Sequence, residues 1–399
     1  MLGFIRISNR KRNNKSNLAH CARVAHADTV ASYALSHSRV PFSNLSGRPI
    51  TNLEVFYTNW SYNTSVEWSP TSTLAVRAAV EYPVGIITPL YDAGGNRDIS
   101  ISGGGIGSAL KKSGLNIPAN AVFYIRTRCI VTGGDGQAPR AYTNNATFNG
   151  GTIQSWFGAT NDGSDYTTSG NQPTAFGVGF GPSAVCSRET GNKARSFMII
   201  GDSISRGNFS GGISFAEVAA LGAGYSFLNF AVSGSKLVDN TVQTKRIALA
   251  RATGCTDVLM NYPINDISGS KTLSNIQTGF NALWSNLKAA GFDKIIQASC
   301  TPRTSDATNT GTPYATPAGA FTGGASSLRS QVNAWLRSVA GQANKADYIF
   351  EFADVLESSR DSGLWLNPTV NTSDGLHPTA TGATTAGNAY KTFLQTIGF

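Results

Sequence analysis

Histidine is scarce in this chain of 399 residues: the four imidazoles are His20, His26, His37 and His377, so a single one remains beyond His37. Any proton-transfer chemistry in the last nine-tenths of the chain that needs an imidazole therefore has one candidate. Cysteine is almost as rare. Cys21, Cys129, Cys186, Cys255 and Cys300 are odd in number, widely spaced and form no CxxC pair. That pattern gives no support to a zinc site or a dithiol redox motif, and buried reduced thiols are the expectation. No apolar run approaches the roughly 20 residues needed to span a bilayer. The N-terminal stretch also lacks the continuous apolar core, about 7–15 residues long, of a secretory signal. Export by that route is not expected; release by lysis or assembly into a particle is the alternative.

Acidic residues are sparse near the N-terminus, and this locates the charge. Arg6, Arg10, Lys11, Arg12, Lys15, Arg23 and Arg39 face only Asp28 within the first forty residues, which accounts for most of the net +9. The basicity reads as an N-terminal arm over 1–40, not as a nucleic-acid-binding face on a folded domain.

The remainder divides in two, because a chain of this length exceeds one ordinary core. Over 41–190, short alternating runs are separated by turn residues. Leu74, Val76, Ala78 and Val80 alternate with Ala75, Arg77 and Ala79, and in 121–131 Arg126 and Arg128 share the face opposite Ile125, Thr127 and Cys129. Such patterning predicts an all-β, jelly-roll-like sandwich. From 195 to 399 strands alternate with helices. Strands are expected over 196–200, 225–230, 257–262, 294–299 and 348–352. Helices are expected near 213–221, 242–252, 273–290 and 326–340, with a last one after Pro378. Ile276, Phe280, Leu283, Trp284 and Leu287 recur at helical spacing on one face. This is α/β architecture: a parallel sheet between helices, with reactive groups at the carboxyl ends of its strands. A long connection over 303–325, rich in Thr, Ala, Gly, Ser and Pro, is expected as a flexible rim beside the site.

Ser203 falls just past the first of those strands, in Gly201-Asp202-Ser203-Ile204. By itself the tripeptide is ordinary turn material, and Ser205 occupies the place of the second glycine of a G-x-S-x-G elbow. Its significance comes from Asp374-Gly375-Leu376-His377-Pro378, where the late imidazole lies three residues after a carboxylate. A hydroxyl, a base and an acid that orients the base are the requirements of nucleophilic acyl transfer.

Four blocks in order make residues 195–399 resemble the SGNH (GDSL-like) hydrolase family. They are Gly201-Asp202-Ser203-Ile204, Asn229-Phe230-Ala231-Val232-Ser233-Gly234, Pro263-Ile264-Asn265-Asp266 and Asp374-Gly375-Leu376-His377-Pro378. The resemblance implies a flavodoxin-like three-layer fold, a Ser203 nucleophile, a His377 base and an Asp374 acid. It further implies an oxyanion hole made of the Ser203 and Gly234 N–H groups and the Asn265 amide, with no metal or cofactor. Asp202 and Asp266 are expected to be structural, bonding nearby backbone donors. Pro263 replaces the glycine that usually opens the third block, so a different path is expected for the loop carrying Asn265.

The family contains lipases, thioesterases and polysaccharide deacetylases, so membership leaves the ester open. The β-rich companion region, containing Trp60, Trp68 and Trp156, favours an acetylated polysaccharide and hence a carbohydrate O-acetyl esterase, phage- or particle-associated. A lipase or short-chain acyl esterase is the alternative enzyme. The alternative from another class is a non-catalytic glycan-binding or virion structural protein. No specific nucleic acid and no membrane span are expected, and oligomeric state is open.

Overall fold

A computed structural model describes residues 22–23, 29–44, 49–64, 66–140, 142–143, 147–148, 151–170, 178–187, 195–208, 210, 212–305, 314 and 316–399. The first half is antiparallel β structure. Its main strands are β1 (Leu35–Ser43), β2 (Ile50–Phe56), β3 (Thr73–Glu81), β4 (Ile87–Pro89), β5 (Asp98–Ile101), β6 (Leu110–Ile117), β7 (Val122–Thr132), β8 (Gln154–Gly158) and β9 (Ala184–Ser187). One sheet runs β8-β1-β7-β3-β4, with β5 also paired to β3, and a smaller sheet runs β6-β2-β9. The alternation in β3 does what the period-2 pattern demands: Leu74, Val76, Ala78 and Val80 are buried, while Ala75 and Arg77 are partly exposed.

One expectation for this half is corrected. Strand β1 begins at Leu35 and pairs along its length with β7, so sheet structure starts inside the segment read as a basic arm. Earlier still, Ala22–Arg23 pairs in parallel with the sheet of the second half, at Leu228 and Asn229; residues 1–21 and 24–28 lie outside the described residues. On the face of β7 that carries both arginines, Arg126 is only 4 % exposed. The segment after β8 covers that face. Arg126 donates to Tyr166 O and Gly170 O, Arg128 to Ser164 O, and Glu81 accepts from both Arg126 and Arg39. A guanidinium carries enough donors to stitch a loop to a sheet while keeping its own charge paired. Trp60 is core, whereas Trp156 is half-buried and stacks on His37.

The second half is an α/β sandwich. Strands β10 (Ser196–Gly201), β11 (Ser226–Asn229), β12 (Asp257–Asn261), β13 (Lys294–Ala298) and β14 (Tyr348–Phe350) are all parallel, in the order β11-β10-β12-β13-β14. This is the flavodoxin-like order, whose switch point lies beside the first strand. The five strands lie where their apolar runs place them, each within two residues. The helices are α1 (Ser203–Arg206), α2 (Phe215–Gly222), α3 (Thr244–Thr253), α4 (Ile264–Ser268), α5 (Leu273–Ala289), α6 (Leu328–Val339), α7 (Phe352–Leu356), α8 (Pro368–Asn371) and α9 (Ala380–Thr396). The long ones match expectation, while the one-turn helices α1, α4, α7 and α8 do not show in the hydrophobic period. Capping boxes at Ser214/Glu217 and Thr272/Asn275 start α2 and α5. The predicted apolar face of α5 is buried throughout, and Trp284 stacks on Trp335 of α6 at 5.6 Å. On α2, Phe215 stacks on Phe352 of α7 at 4.0 Å and on Tyr390 of α9 at 5.9 Å. Cys129, Cys186, Cys255 and Cys300 are buried free thiols, as expected; Cys21 lies outside the described residues. Among the described residues no helix is long and apolar enough to cross a membrane.

Candidate active site

Three loops leave the carboxyl ends of β10, β11 and β12 side by side, because those strands are in register there: Gly201 faces Asn261, and Ile199 faces Asn229. Beyond β11 the chain keeps pace with β10 through Phe230 N–H to Ile199 O (2.8 Å) and Val232 N–H to Gly201 O (3.0 Å). Gly201 allows the close approach. A Cβ there would lie 2.6 Å from both Asn261 O and Ser205 Oγ.

Asp202 caps α1, its Oδ1 accepting from Ile204 N–H at 2.9 Å, and Ser203 follows as the first helical residue, 7 % exposed. Burial pushes the Asp202 carboxyl up to about 7, helped by the nearby Asp266 charge. Asp266 in turn holds the next loop, accepting from Leu237 N–H at 2.8 Å and Val238 N–H at 2.9 Å. Both aspartates thus bond backbone donors, as expected of structural carboxylates.

The sequence brings His377 back from the far end of the chain on a tight turn. Asp374 Oδ1 accepts from the Leu376 and His377 N–H groups at 2.9 and 2.7 Å, and Thr372 Oγ donates to His377 O at 2.8 Å. The same carboxylate meets the imidazole: Asp374 Oδ2 is 2.6 Å from His377 Nδ1, and His377 Nε2 is 2.8 Å from Ser203 Oγ. Burial pushes the Asp374 carboxyl up, but the hydrogen bonds from His377 ring, its backbone and Leu376 outweigh it and hold the group below the usual carboxylate range. An ionised carboxylate only accepts, so Nδ1 carries the proton and Nε2 is left to accept from the serine hydroxyl. That arrangement can remove the Oγ proton during attack on a carbonyl and return it to a leaving alcohol.

Gly234 and Asn265 lie on the neighbouring loops. Gly234 has φ +77°, a conformation suited to glycine. Asn265 sits in the first turn of α4 and donates through Nδ2 to Ser235 O at 3.1 Å, which leaves its second amide hydrogen for another acceptor. Pro263 stands at the start of α4, and its carbonyl accepts from Asp266 N–H at 2.9 Å. The loop still delivers Asn265 against the Gly234 segment. Among the described residues the N–H groups of Ser203 and Gly234 donate to no protein acceptor.

Several supporting residues escaped the sequence reading. Asn229 holds the turn after β11, donating to Ser205 O (2.8 Å) and Glu217 (2.9 Å) while accepting from Ala231 N–H. Its presence in the second motif block was the available signal. Asn240, which donates to Ser235 Oγ at 3.2 Å, gave none. The described residues of the 303–325 connection lie beside the turn that carries His377, while 306–313 and 315 lie outside the described residues. Thr304–Ser305 pairs with Thr316–Pro317, Thr304 N–H donates to Gly375 O at 2.8 Å, and Tyr314 Oη donates to Ser373 O.

Among solved structures, a GDSL-like lipase from Bacteroides thetaiotaomicron is similar at 16% identity, with 51% of this chain and 89% of that one covered and a TM-score of 0.37. A Clostridium thermocellum family 3 carbohydrate esterase is similar at 17% identity (51% and 97% covered, TM-score 0.38). The salicylyl-acyltransferase SsfX3 from a tetracycline biosynthetic pathway is similar at 11% identity over 87% of this chain and 82% of that one, with a TM-score of 0.38. No curated protein matches the chain. Residues 197–390 match the family model of the GDSL-like lipase/acylhydrolases, so this segment is a GDSL-like domain, that of a serine ester hydrolase.

Proposed function

We propose that this hydrolase is a carbohydrate O-acetyl esterase working through an acyl-enzyme, with Ser203 as nucleophile, His377 as general base and acid, and Asp374 as the group that orients the imidazole. The observation that carries the mechanism is the unbroken chain of contacts from Ser203 Oγ through His377 to Asp374, at 2.8 and 2.6 Å. Ser203 Oγ attacks the ester carbonyl as its proton passes to His377 Nε2. The imidazolium then protonates the departing alcohol. A water, deprotonated by the same nitrogen, releases the acid. Charge on the carbonyl oxygen is met by the Ser203 and Gly234 N–H groups and the second Asn265 amide hydrogen, donors already fixed before the reaction.

The rim supports a polar ester over a long acyl chain. Asn208, Ser233, Asn265, Ser268 and Arg303 cluster there: Asn208 Nδ2 donates to Ser233 Oγ at 2.9 Å and Arg303 to Ser268 Oγ at 2.6 Å. Such groups suit a polyhydroxylated alcohol and would be stripped of water at a cost by a fatty chain. Acetate release from an acetylated glycan, compared with cleavage of long-chain acyl esters, tests the assignment. Preference for long chains overturns the substrate class. Equal rates for wild type and Ser203→Ala overturn the mechanism.

A further inference from the structure

The β region does not merely precede the hydrolase; one of its hairpins reaches the site. Ser61–Tyr62 pairs with Glu67–Trp68, closing a hairpin whose tip carries Asn63, Thr64 and Val66. Two anchors fix it to the α/β half. The Glu67 carboxylate accepts from the Lys245 and Arg246 N–H groups at 2.7 and 3.1 Å and from Arg246 Nε at 3.0 Å. Helix α3 has no side-chain cap of its own, so a carboxylate from the other region satisfies its first donors and its dipole. Arg246 is 1 % exposed and also lies over the Tyr62 ring at 4.8 Å. The second anchor is Asn240, which binds Arg246 through Oδ1 (2.9 Å) and donates through Nδ2 to Thr64 O, Ser235 Oγ and Lys236 O. Ser235 is the residue whose carbonyl holds the Asn265 amide.

The anchored tip therefore stands against the segment assigned to the oxyanion hole. Thr64 Cγ2 would lie 3.3 Å from a Cβ on Gly234, and Thr64 itself is exposed at the surface, as are Asn63 and Val66. Resting on the mechanism proposed above, we infer that Asn63, Thr64 and Val66 form a wall of the substrate cleft and that Thr64 helps determine which esters fit. A rigid wall contributed by the β region contacts the part of the substrate away from the reacting carbonyl. Its effect is then large for a bulky glycan ester and small for a compact one.

The experiment uses the full chain and two acetyl esters, an acetylated oligosaccharide and 4-nitrophenyl acetate. Thr64→Trp intrudes into the cleft and is expected to lower the ratio of kcat/KM values, oligosaccharide over small ester, by at least about tenfold, mainly through KM. Thr64→Ala disturbs folding least and should lower the same ratio by about fourfold, the worth of one methyl contact. A role limited to domain docking would scale both substrates alike. Ratios within about twofold of wild type for both variants would overturn the inference. Ser203→Ala is run alongside. If it is inactive while the ratios stay put, the hairpin role alone fails; if it is fully active, the mechanism beneath it fails.

Discussion

His377 Nε2 lies 2.8 Å from Ser203 Oγ although 174 residues separate them in the chain. Contact over that distance is made by the sheet, which puts Ser203 at the end of β10, and by the Asp374 turn, which fixes the imidazole from two sides. In the proposed mechanism the residues act as one unit, and their loss is predicted to behave so. Asp374→Asn should lower kcat by about 10⁴-fold, because an amide in that place no longer enforces the Nδ1–H tautomer. Ser203→Ala combined with His377→Ala should be no slower than Ser203→Ala alone. Steady-state rates on 4-nitrophenyl acetate check both, and additive losses would show that the three groups do not act together.

Asn265 is predicted to act on the transition state and not on binding. Asn265→Ala should reduce kcat by about 100- to 1,000-fold with little change in KM. The amide bond to Ser235 O also goes, so a folding control is needed: circular dichroism should remain that of the wild type. A variant that loses KM and keeps kcat would place Asn265 in ground-state recognition instead.

Much of this was legible from the residues. The five parallel strands appear as apolar runs because both their faces are covered, and α5 shows its buried face at helical spacing. The order of four motif blocks marked Ser203, Gly234, Asn265, Asp374 and His377 before any geometry. What stayed hidden depends on contacts distant in sequence. Nothing in its strand marks Arg126 as buried; that follows only from 159–170 folding over it. Glu67 is one more acidic residue in a β hairpin until it caps a helix 178 positions away. Period and propensity report which face is apolar; they do not report which polar residue a second region will cover.

The Glu67 clamp carries a stability prediction. Its side chain is 9 % exposed and that of Arg246 1 %, so removing the carboxylate strands a buried guanidinium as well as uncapping α3. Glu67→Ala should destabilise the chain by about 3 kcal/mol. Replacing Glu67 by Gln keeps an acceptor for the helix N-terminus and should cost less. Urea denaturation followed by tryptophan fluorescence checks this; equal midpoints for wild type and Glu67→Ala would mean the interface is held elsewhere.

Asp202 makes stability depend on pH with a definite sign. Burial pushes its carboxyl up to about 7 in the folded chain, against the usual carboxylate value of about 4 when unfolded. Between those limits the folded form binds the extra proton, so this group's contribution falls as pH rises from about 4 to about 7 and the full penalty persists above. Asp202→Asn retains an oxygen to cap Ile204 and removes the buried charge. It should raise the melting temperature at pH 8 and leave it nearly unchanged at pH 4. A lower melting temperature at pH 8 would mean that the charge is compensated in the fold.

His37 imposes the opposite slope. Burial, with the Arg128 charge adding to it, lowers its imidazole to about 4 from an ordinary 6.5, against the weaker pull of Asp162 and Asp165. The unfolded chain then binds a proton that the folded chain refuses throughout the interval between those values. Its contribution to stability is complete above about pH 6.5 and is lost as pH falls toward 4. The ring is fully buried, stacked on Trp156 at 5.8 Å and edge-on to Tyr166 at 4.8 Å, with Nε2 3.0 Å from Ser164 Oγ. His37→Phe keeps the aromatic packing and removes the titration. Its unfolding midpoint should fall less than that of wild type between pH 6.5 and pH 4, even if the lost Ser164 bond lowers it by about 1 kcal/mol at neutral pH. Parallel midpoint curves for the two proteins across that interval would assign the acid sensitivity to other groups.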